Sequence, residues 1–468
     1  MRDRHTRDDS VLVDTGSGPP VAVVPGTLLI PDSQAERAAS VLVAAGSRAQ
    51  RRTSMVVRRP GFAEFVLPAD EYAARAPTLD ETPDETPDRT IAHGMATVRD
   101  VVTLRRAGVE AQPDHVLLGH GLVGMPMKGF PMKGFPMKGF PMKGFPMKGF
   151  GEAGVDGLIT GWISLTGSTG RPPARPGSTW PTSTDAPGSS LAEPAADPGA
   201  PVPHFDDASP LTVLVLDTGV PETSHLPGAL SGLAPHAADD PDTPDLNADH
   251  LLDVQAGHGA FIAGIIGRLA PGCRIVARRV LSADGVARET EVADILREYA
   301  GEVDLVNLSM GTYTPFHPRV LEEAVRAIQT GDEGKGRAGV VVASAGNDGL
   351  PLPTFPASLP GVVSVGALDV DGPAAFSNHG PWVRACAPGT DVVSTFFSDF
   401  TSGTDEDVRA FDGWARWSGT SFSAPAVVAA LALTIQREGV TAPESVERVV
   451  DAPGLLRLES MGTVVNIA

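Results

Sequence analysis

Four residues far apart in the chain have types and settings suited to one reaction. Asp217 closes the run LTVLVLD, His258 stands in AGHGAFIAGIIG, Asn347 follows GVVVASAGN, and Ser421 lies in WSGTSFSAPAVVAALALTIQRE. Together they supply a carboxylate, an imidazole, a neutral amide and a hydroxyl, the set that acyl transfer through a serine nucleophile requires. A serine hydroxyl is a poor nucleophile at neutral pH and needs a base within hydrogen-bond reach. An imidazole, which titrates near ~6.5 when unperturbed, can take that proton and later give it to a leaving amine. A carboxylate on its other ring nitrogen fixes the tautomer and stabilises the imidazolium, the role open to Asp217. The oxyanion of the tetrahedral intermediate needs donors, here the Asn347 amide and the Ser421 backbone N–H. Each residue also has a plain explanation. Asp217-Thr218-Gly219 and Asn347-Asp348-Gly349 read as turns, Gly257-His258-Gly259 as a helix entrance, and Thr420 or Ser421 as an N-cap.

The elements that must hold these residues argue for the first reading. Residues 417–438 open with small and hydroxyl residues and continue as a long apolar run, which predicts a buried helix whose free N–H groups point out beside Ser421. Pro425 places the first turn of that helix at 421–425. Upstream, strands are expected at 211–216, 274–280, 303–309, 339–344, 362–367 and 383–387, and helices at 259–269, 289–299 and 318–330. That alternation predicts an α/β fold, a parallel sheet with helices on both faces, with ligands bound beyond the carboxyl ends of the strands. All four residues fall just there.

The first part of the chain has a different texture. Residues 1–24 are expected to be poorly ordered apart from VLVD. Strands at 26–30, 53–58, 63–67 and 109–118, with helices at 34–45 and 97–106 and a loop over 72–93, give β-α-β-β-α-β, the order of a small ferredoxin-like α+β domain over 25–118. Residues 119–205 read as a long linker rich in Pro and Gly. Within it, PMKGF occurs five times over 126–150; a proline every fifth residue excludes a helix or an interior strand. A short run at 158–165 reads as a strand without an evident place. The remaining unit is 206–468. Asp14-Thr15-Gly16 echoes Asp217-Thr218-Gly219 as if the two were paired aspartic-protease loops, but almost no chain precedes the first copy to build its lobe.

Composition narrows the function classes. The chain has 468 residues, 42% hydrophobic and 20% charged, with a formal net charge of −20, which argues against wholesale nucleic-acid binding. No apolar run reaches the length of a membrane span. The charged start MRDRHTRDDS is followed by no h-region, so a cytoplasmic location is expected; a misassigned start or non-classical export would make it secreted. Cys273 and Cys386 are the two cysteines, either bonded or reduced. No cofactor is implied. The acidic stretch 239–249 has no EF-hand pattern and reads as a solvated loop, so a structural calcium has no clear motif.

The order Asp217, His258, Ser421, with VLDTGV, GHGAFIAG, NLSMG, ASAGN and GTSFSAPAVVAALA in succession, resembles the subtilisin-like serine proteases, the subtilase or S8 family, most like its actinobacterial members. The resemblance runs from about residue 211 to the C-terminus. It implies a serine endopeptidase with Asp217, His258 and Ser421 as triad and Asn347 as oxyanion donor. It implies a substrate cleft walled by Ser309, Met310 and Gly311 on one side and by Ala343, Ser344, Ala345 and Gly346 on the other. Phe355-Pro356-Ala357 resembles the family's Tyr-Pro-Ala segment. Phe261 stands where the family often has a second histidine, and packing is expected of it. The partners implied are polypeptide substrates and the chain's own N-terminal domain, acting as a propeptide that assists folding, blocks the site and is cut off. Two alternatives remain. One is a catalytically silent subtilase fold serving as a scaffold; the other makes the PMKGF region the functional part, released by the peptidase unit.

Overall fold

The computed structural model describes residues 11–14, 21–47, 49–51, 61–67, 89–119, 162–164, 192–199, 203–222, 224–230, 232–233, 241–246, 248–331, 336–404 and 407–465. Its main sheet has Thr212–Asp217 near one side, paired in parallel with Arg274–Arg279 outward and with Leu305–Leu308 inward. Val340–Ser344, Val363–Asp369, Ala385–Pro388 and Gly462–Val464 follow in parallel. The central strands Thr212–Asp217, Leu305–Leu308 and Val340–Ser344 are largely apolar and buried throughout because both faces are covered. His258–Leu269 and Thr420–Glu438 pack on one face, within a core that includes Phe261, Ile262, Val427 and Leu431. Glu289–Glu298 and Arg319–Thr330 cover the other, through Val292, Leu296, Leu321 and Val325. After Thr212–Asp217 the chain pairs on one side with Arg274–Arg279 and then crosses to Leu305–Leu308 on the other. That reversal opens a crevice at the carboxyl ends of the two central strands, where Asp217 and Ser309 lie.

The N-terminal elements form a second, antiparallel sheet. Gln50–Arg51, Phe62–Val66, Val21–Pro31 and Gln112–Gly119 lie side by side, with helices Ala35–Ala44 and Arg89–Arg106 packed through Ala38, Leu42, Val98 and Leu104. This is the expected β-α-β-β-α-β order. The sheet meets the helices Glu289–Glu298 and Arg319–Thr330 of the main body, where Leu29, Phe62 and Leu117 join the core of Val292, Leu296 and Val320.

Several expectations need correction. Val21–Val24 is not loose: it begins the strand Val21–Pro31, whose first half pairs with Val11–Asp14 and buries Val21 and Val23 completely. The second helix starts at Arg89, inside the segment expected to be loop. The expected strand at 53–58, the rest of that loop and the PMKGF repeats lie outside the described residues. The strand within 158–165 does have a place: Trp162–Ser164 runs parallel to Val11–Asp14. The segment expected to be linker also contributes Gly119 to a strand and Glu193–Pro194 to an antiparallel layer with Val392–Thr395 and Trp414–Trp417. Cys273 and Cys386 are free thiols, both buried, and burial pushes each up to about 12. The helix that carries Ser421 begins at Thr420 with Gly419 as N-cap, so neither Thr420 nor Ser421 is the cap. Pro425 therefore falls in the second turn, where it removes a helical hydrogen bond.

Candidate active site

Asp217 ends its strand with its side chain in the crevice, completely buried. Its Oδ1 accepts the Thr218 N–H at 2.8 Å and lies 2.8 Å from His258 Nδ1. That contact leaves Nδ1 as the protonated nitrogen and Nε2 as the free base. His258 is the first residue of its helix; Gly257, with φ +82°, makes the turn into it, and a Cβ there would meet the Phe396 ring at 2.3 Å. The helix is drawn close to the layer beneath it at Gly264, where a Cβ would stand 2.1 Å from Thr395 Oγ1. The imidazole packs edge-on against Trp417 and against Phe422, each with ring centroids 5.4 Å away. These two residues flank the turn that carries Ser421, so the same packing that fixes the ring ties it to the nucleophile helix. Phe261 completes the cluster, 4.5 Å from Phe422 and edge-on to Trp417. His258 Nε2 is buried and meets no partner among the described residues.

Ser421 lies in the first turn of its helix, fully buried. Asn347 is fixed from the same turn: its Oδ1 accepts both the Thr420 N–H at 2.9 Å and the Thr420 hydroxyl at 2.8 Å. With the oxygen held, the two amide hydrogens point the other way. Asn347 Nδ2 is buried and has no partner among the described residues. The loop carrying Asn347 is held from behind by Asn378, whose Nδ2 donates to Ala345 O at 2.9 Å and whose backbone N–H donates to Gly346 O at 2.9 Å. The Ser421 hydroxyl donates to Ser309 O at 3.5 Å, while a ring nitrogen able to accept a proton and an amide donor are buried and unspent.

The expected cleft residues lie at the carboxyl ends of two neighbouring strands. Ser309, Met310 and Gly311 follow the strand Leu305–Leu308 directly, and Ala343 to Gly346 end the neighbouring strand and begin the Asn347 loop. The crevice is filled by the chain's own N-terminal sheet. Gln112–Gly119 runs antiparallel to Val286–Arg288 on one side and to Met310–Gly311 on the other, with Leu118 opposite Gly311 and Gly119 opposite Met310. The Gly119 N–H donates to Gly285 O at 2.9 Å. Buried polar groups fasten this strand to the helices beside it. Glu289, fully buried, lies 2.5 Å from His115 Nδ1 and accepts from Gln112 Nε2 at 2.9 Å and from the Leu321 N–H at 3.0 Å. Asp114 accepts from Arg288 Nη2 at 2.8 Å, from Thr290 Oγ1 at 2.9 Å and from the Thr290 N–H at 3.2 Å. Both carboxylates sit at helix N-termini, where negative charge is favoured.

Sequence reasoning missed four contributors. Thr218 and Thr420 are the neighbours of triad candidates, and their hydroxyls orient the loops around them. Trp417 opens the run WSGTSFSAP, and nothing in that run marks it as a neighbour of the imidazole. Asp242 was placed in a solvated acidic loop, yet it is completely buried beside Thr218. Nothing in DDPDTPD marks one carboxylate as internal, because its burial depends on two other loops closing over it. Among the described residues no group of three or more His, Cys, Asp or Glu could hold a metal ion, and no helix is long and apolar enough to cross a membrane.

Residues 209–451, just over half of the chain, match the model of the Peptidase S8 domain, described as the subtilase family. A thermophilic serine proteinase of Bacillus sp. (strain AK1) is 34% identical over 247 residues, which are 51% of this chain and 56% of that protein. Subtilisin BL of Lederbergia lenta is 32% identical over 241 residues, 49% of this chain and 77% of that protein. A solved cold-adapted subtilisin-like serine proteinase aligns at 26% identity and a TM-score of 0.43, over 56% of this chain and 90% of its own. The chain belongs to the subtilase family.

Proposed function

We propose that the chain is a serine endopeptidase in which Ser421 attacks the peptide carbonyl, His258 acts as general base and then general acid, and Asp217 orients the imidazole. The observation that supports this reading is the buried Asp217–His258 contact of 2.8 Å, which leaves the second ring nitrogen without a partner among the described residues. As Ser421 Oγ bonds to the carbonyl carbon, its proton passes to His258 Nε2 and the carbonyl π electrons move onto oxygen. Asn347 Nδ2 and the Ser421 N–H stabilise that oxyanion. Collapse expels the amine, which takes the proton from His258, and leaves an acyl-enzyme that water hydrolyses by the same steps. The substrate is an extended polypeptide, and it takes the place now held by Gln112–Gly119. Its backbone pairs with Met310–Gly311, and its side chain nearest the scissile bond enters between Ser309 to Gly311 and Ala343 to Gly346.

The N-terminal domain then serves as an intramolecular inhibitor and folding aid, and the chain is made as a zymogen that cuts itself beyond Gly119. What supports this is that the domain's last strand completes a sheet across the cleft.

Intact mass with and without a serine-reactive phosphonate, beside Ser421→Ala, tests both parts. Labelling confined to the Ser421-containing protein and an N-terminus beyond Gly119 are expected. Equal peptide turnover by wild type and Ser421→Ala ends the triad assignment, and an active enzyme of full-length mass ends the zymogen.

A further inference from the structure

We propose that Asp242 is a positioning residue of the triad, a second buried carboxylate that clamps the Asp217 loop to the start of the His258 helix and adds its charge to the field acting on that pair. The proposal rests on the serine endopeptidase reading above. A single oxygen, Asp242 Oδ2, accepts from Thr218 Oγ1 at 2.7 Å and from the Gly257 N–H at 2.8 Å. Thr218 follows Asp217 and gives its own N–H to Asp217 Oδ1, while Gly257 precedes His258. The Thr218 hydroxyl in turn accepts the Gly259 N–H at 2.9 Å. The two loops that must present their side chains to each other are thus joined through one carboxylate and one hydroxyl.

The segment carrying Asp242 is itself held in register. The Asp242 N–H donates to Val220 O at 2.9 Å, and the Glu222 N–H donates to Asp242 O at 3.1 Å. Arg279 braces it through a hydrogen bond from Nη1 to Pro241 O. The other carboxylate oxygen, Oδ1, is buried with no partner among the described residues. A group serving only as a turn former would have no reason to be sealed in this way beside Asp217.

The charged groups acting on Asp242 are Arg279 and Asp217, with His258 on the helix that it ties down. Burial pushes its carboxyl up to about 7, against the pull of Arg279 and of its two hydrogen bonds, and Asp217 adds to the rise. Its proton is therefore exchanged in the neutral range. When the Ser421 proton reaches His258, an imidazolium forms beside Asp217. An ionised Asp242, one threonine behind, stabilises that cation; a protonated one does not.

The test is the pH profile of kcat/KM for wild type, Asp242→Asn and Asp242→Ala, each normalised by phosphonate-titrated sites. Asparagine keeps an acceptor for both hydrogen bonds and removes the charge. Asp242→Asn is expected to lose about tenfold in kcat with KM unchanged, and its acid limb to become shallower, governed by one proton instead of two. Asp242→Ala, lacking the clamp as well, is expected to lose about a hundredfold in kcat. Variants that melt earlier but keep the wild-type shape of the acid limb would overturn the proposal. The same question is put without catalysis by following the His258 ring protons against pH in Ser421→Ala. A curve with two steps that Asp242→Asn reduces to one supports the proposal, and superimposable curves overturn it. If the wild type fails to take up the phosphonate, the peptidase reading falls, and the ring-proton titration still decides the place of Asp242.

Discussion

Ser309 supplies Ser421 with the hydrogen bond that the nucleophile helix cannot give it. Ser309 Oγ donates to the Ser421 carbonyl at 3.0 Å. In an uninterrupted helix that carbonyl would accept from the N–H four residues on, but residue 425 is proline and has none. Asn307 Nδ2 donates to the same Ser309 oxygen at 2.9 Å, which directs its hydroxyl hydrogen to the helix. The cleft wall and the nucleophile turn are therefore one hydrogen-bonded unit.

That relationship can be measured. Ser309→Ala leaves a buried carbonyl unpaired and is expected to lower stability by about 1–3 kcal/mol. Denaturant unfolding in a Ser421→Ala background, free of autolysis, gives the value. Pro425→Ala restores a backbone donor, so the double variant is expected to lose less than the sum of the single ones. Strict additivity would mean that the serine hydroxyl is not replacing the missing N–H.

Asn347 is aimed by Thr420, and the two substitutions separate donation from aim. Asn347→Ala is expected to reduce kcat by roughly two to three orders of magnitude with little change in KM. Thr420→Val keeps the Thr420 N–H that holds Asn347 Oδ1 but removes the hydroxyl bonds to Asn347 and from Gly346. Its loss in kcat is expected to be smaller, about tenfold, again without a rise in KM. Single-turnover acylation rates give both figures.

The strand in the cleft is held by a buried charge, so losing one partner has a large effect. His115→Ala leaves Glu289 deprived of its closest neighbour in a place that water does not reach. Depriving a buried acceptor of one of its hydrogen bonds costs about 1–3 kcal/mol. In full-length Ser421→Ala, hydrogen exchange at Gln112–Gly119 is expected to speed up by more than about tenfold, while Val340–Ser344 in the main sheet keeps its protection. Equal acceleration at both places would show general loosening instead.

Stability should also carry the signature of Asp242. An unfolded aspartate titrates near ~3.9, whereas this one holds its proton up to about 7. The folded chain binds the proton more tightly, so this group's contribution is complete below the unfolded value and is lost as pH rises from about 4 to about 7. In Ser421→Ala, removing that titration with Asp242→Asn is expected to flatten the fall in unfolding midpoint across this window. Parallel curves for the two proteins would contradict the assignment.

The parts of this molecule legible in sequence are those set by local composition. Runs such as LTVLVL and GVVVAS have no polar face, so they belong in a two-sided sheet, and the residues that follow them mark its functional edge. The nucleophile helix was equally plain, although its start at Thr420 put Pro425 a turn deeper than its usual place. Contacts between segments distant in sequence were not legible. Asp242 sits among carboxylates of identical type, and only the crossing of the 218–222 and 241–246 segments distinguishes it. Trp417 and Phe422 became a wall for the imidazole, with Phe261 behind them, through packing that no periodicity announces. Phe400–Thr404 and Asp407–Phe411 form a hairpin whose alternation is too weak to read alone.

Gln112–Gly119 lies between two strand edges, Val286–Arg288 and Met310–Gly311, and satisfies the backbone of both. On the zymogen reading proposed above, its departure would present a slot one strand wide whose N–H and C=O groups accept any chain able to lie extended. Folded neighbours are poor occupants because their own strands are already paired. A sister molecule that has opened locally is a good one. Loss of enzyme during mild heating should therefore depend on encounters between molecules, its rate rising with the square of concentration, and dilution should preserve activity as surely as cooling does.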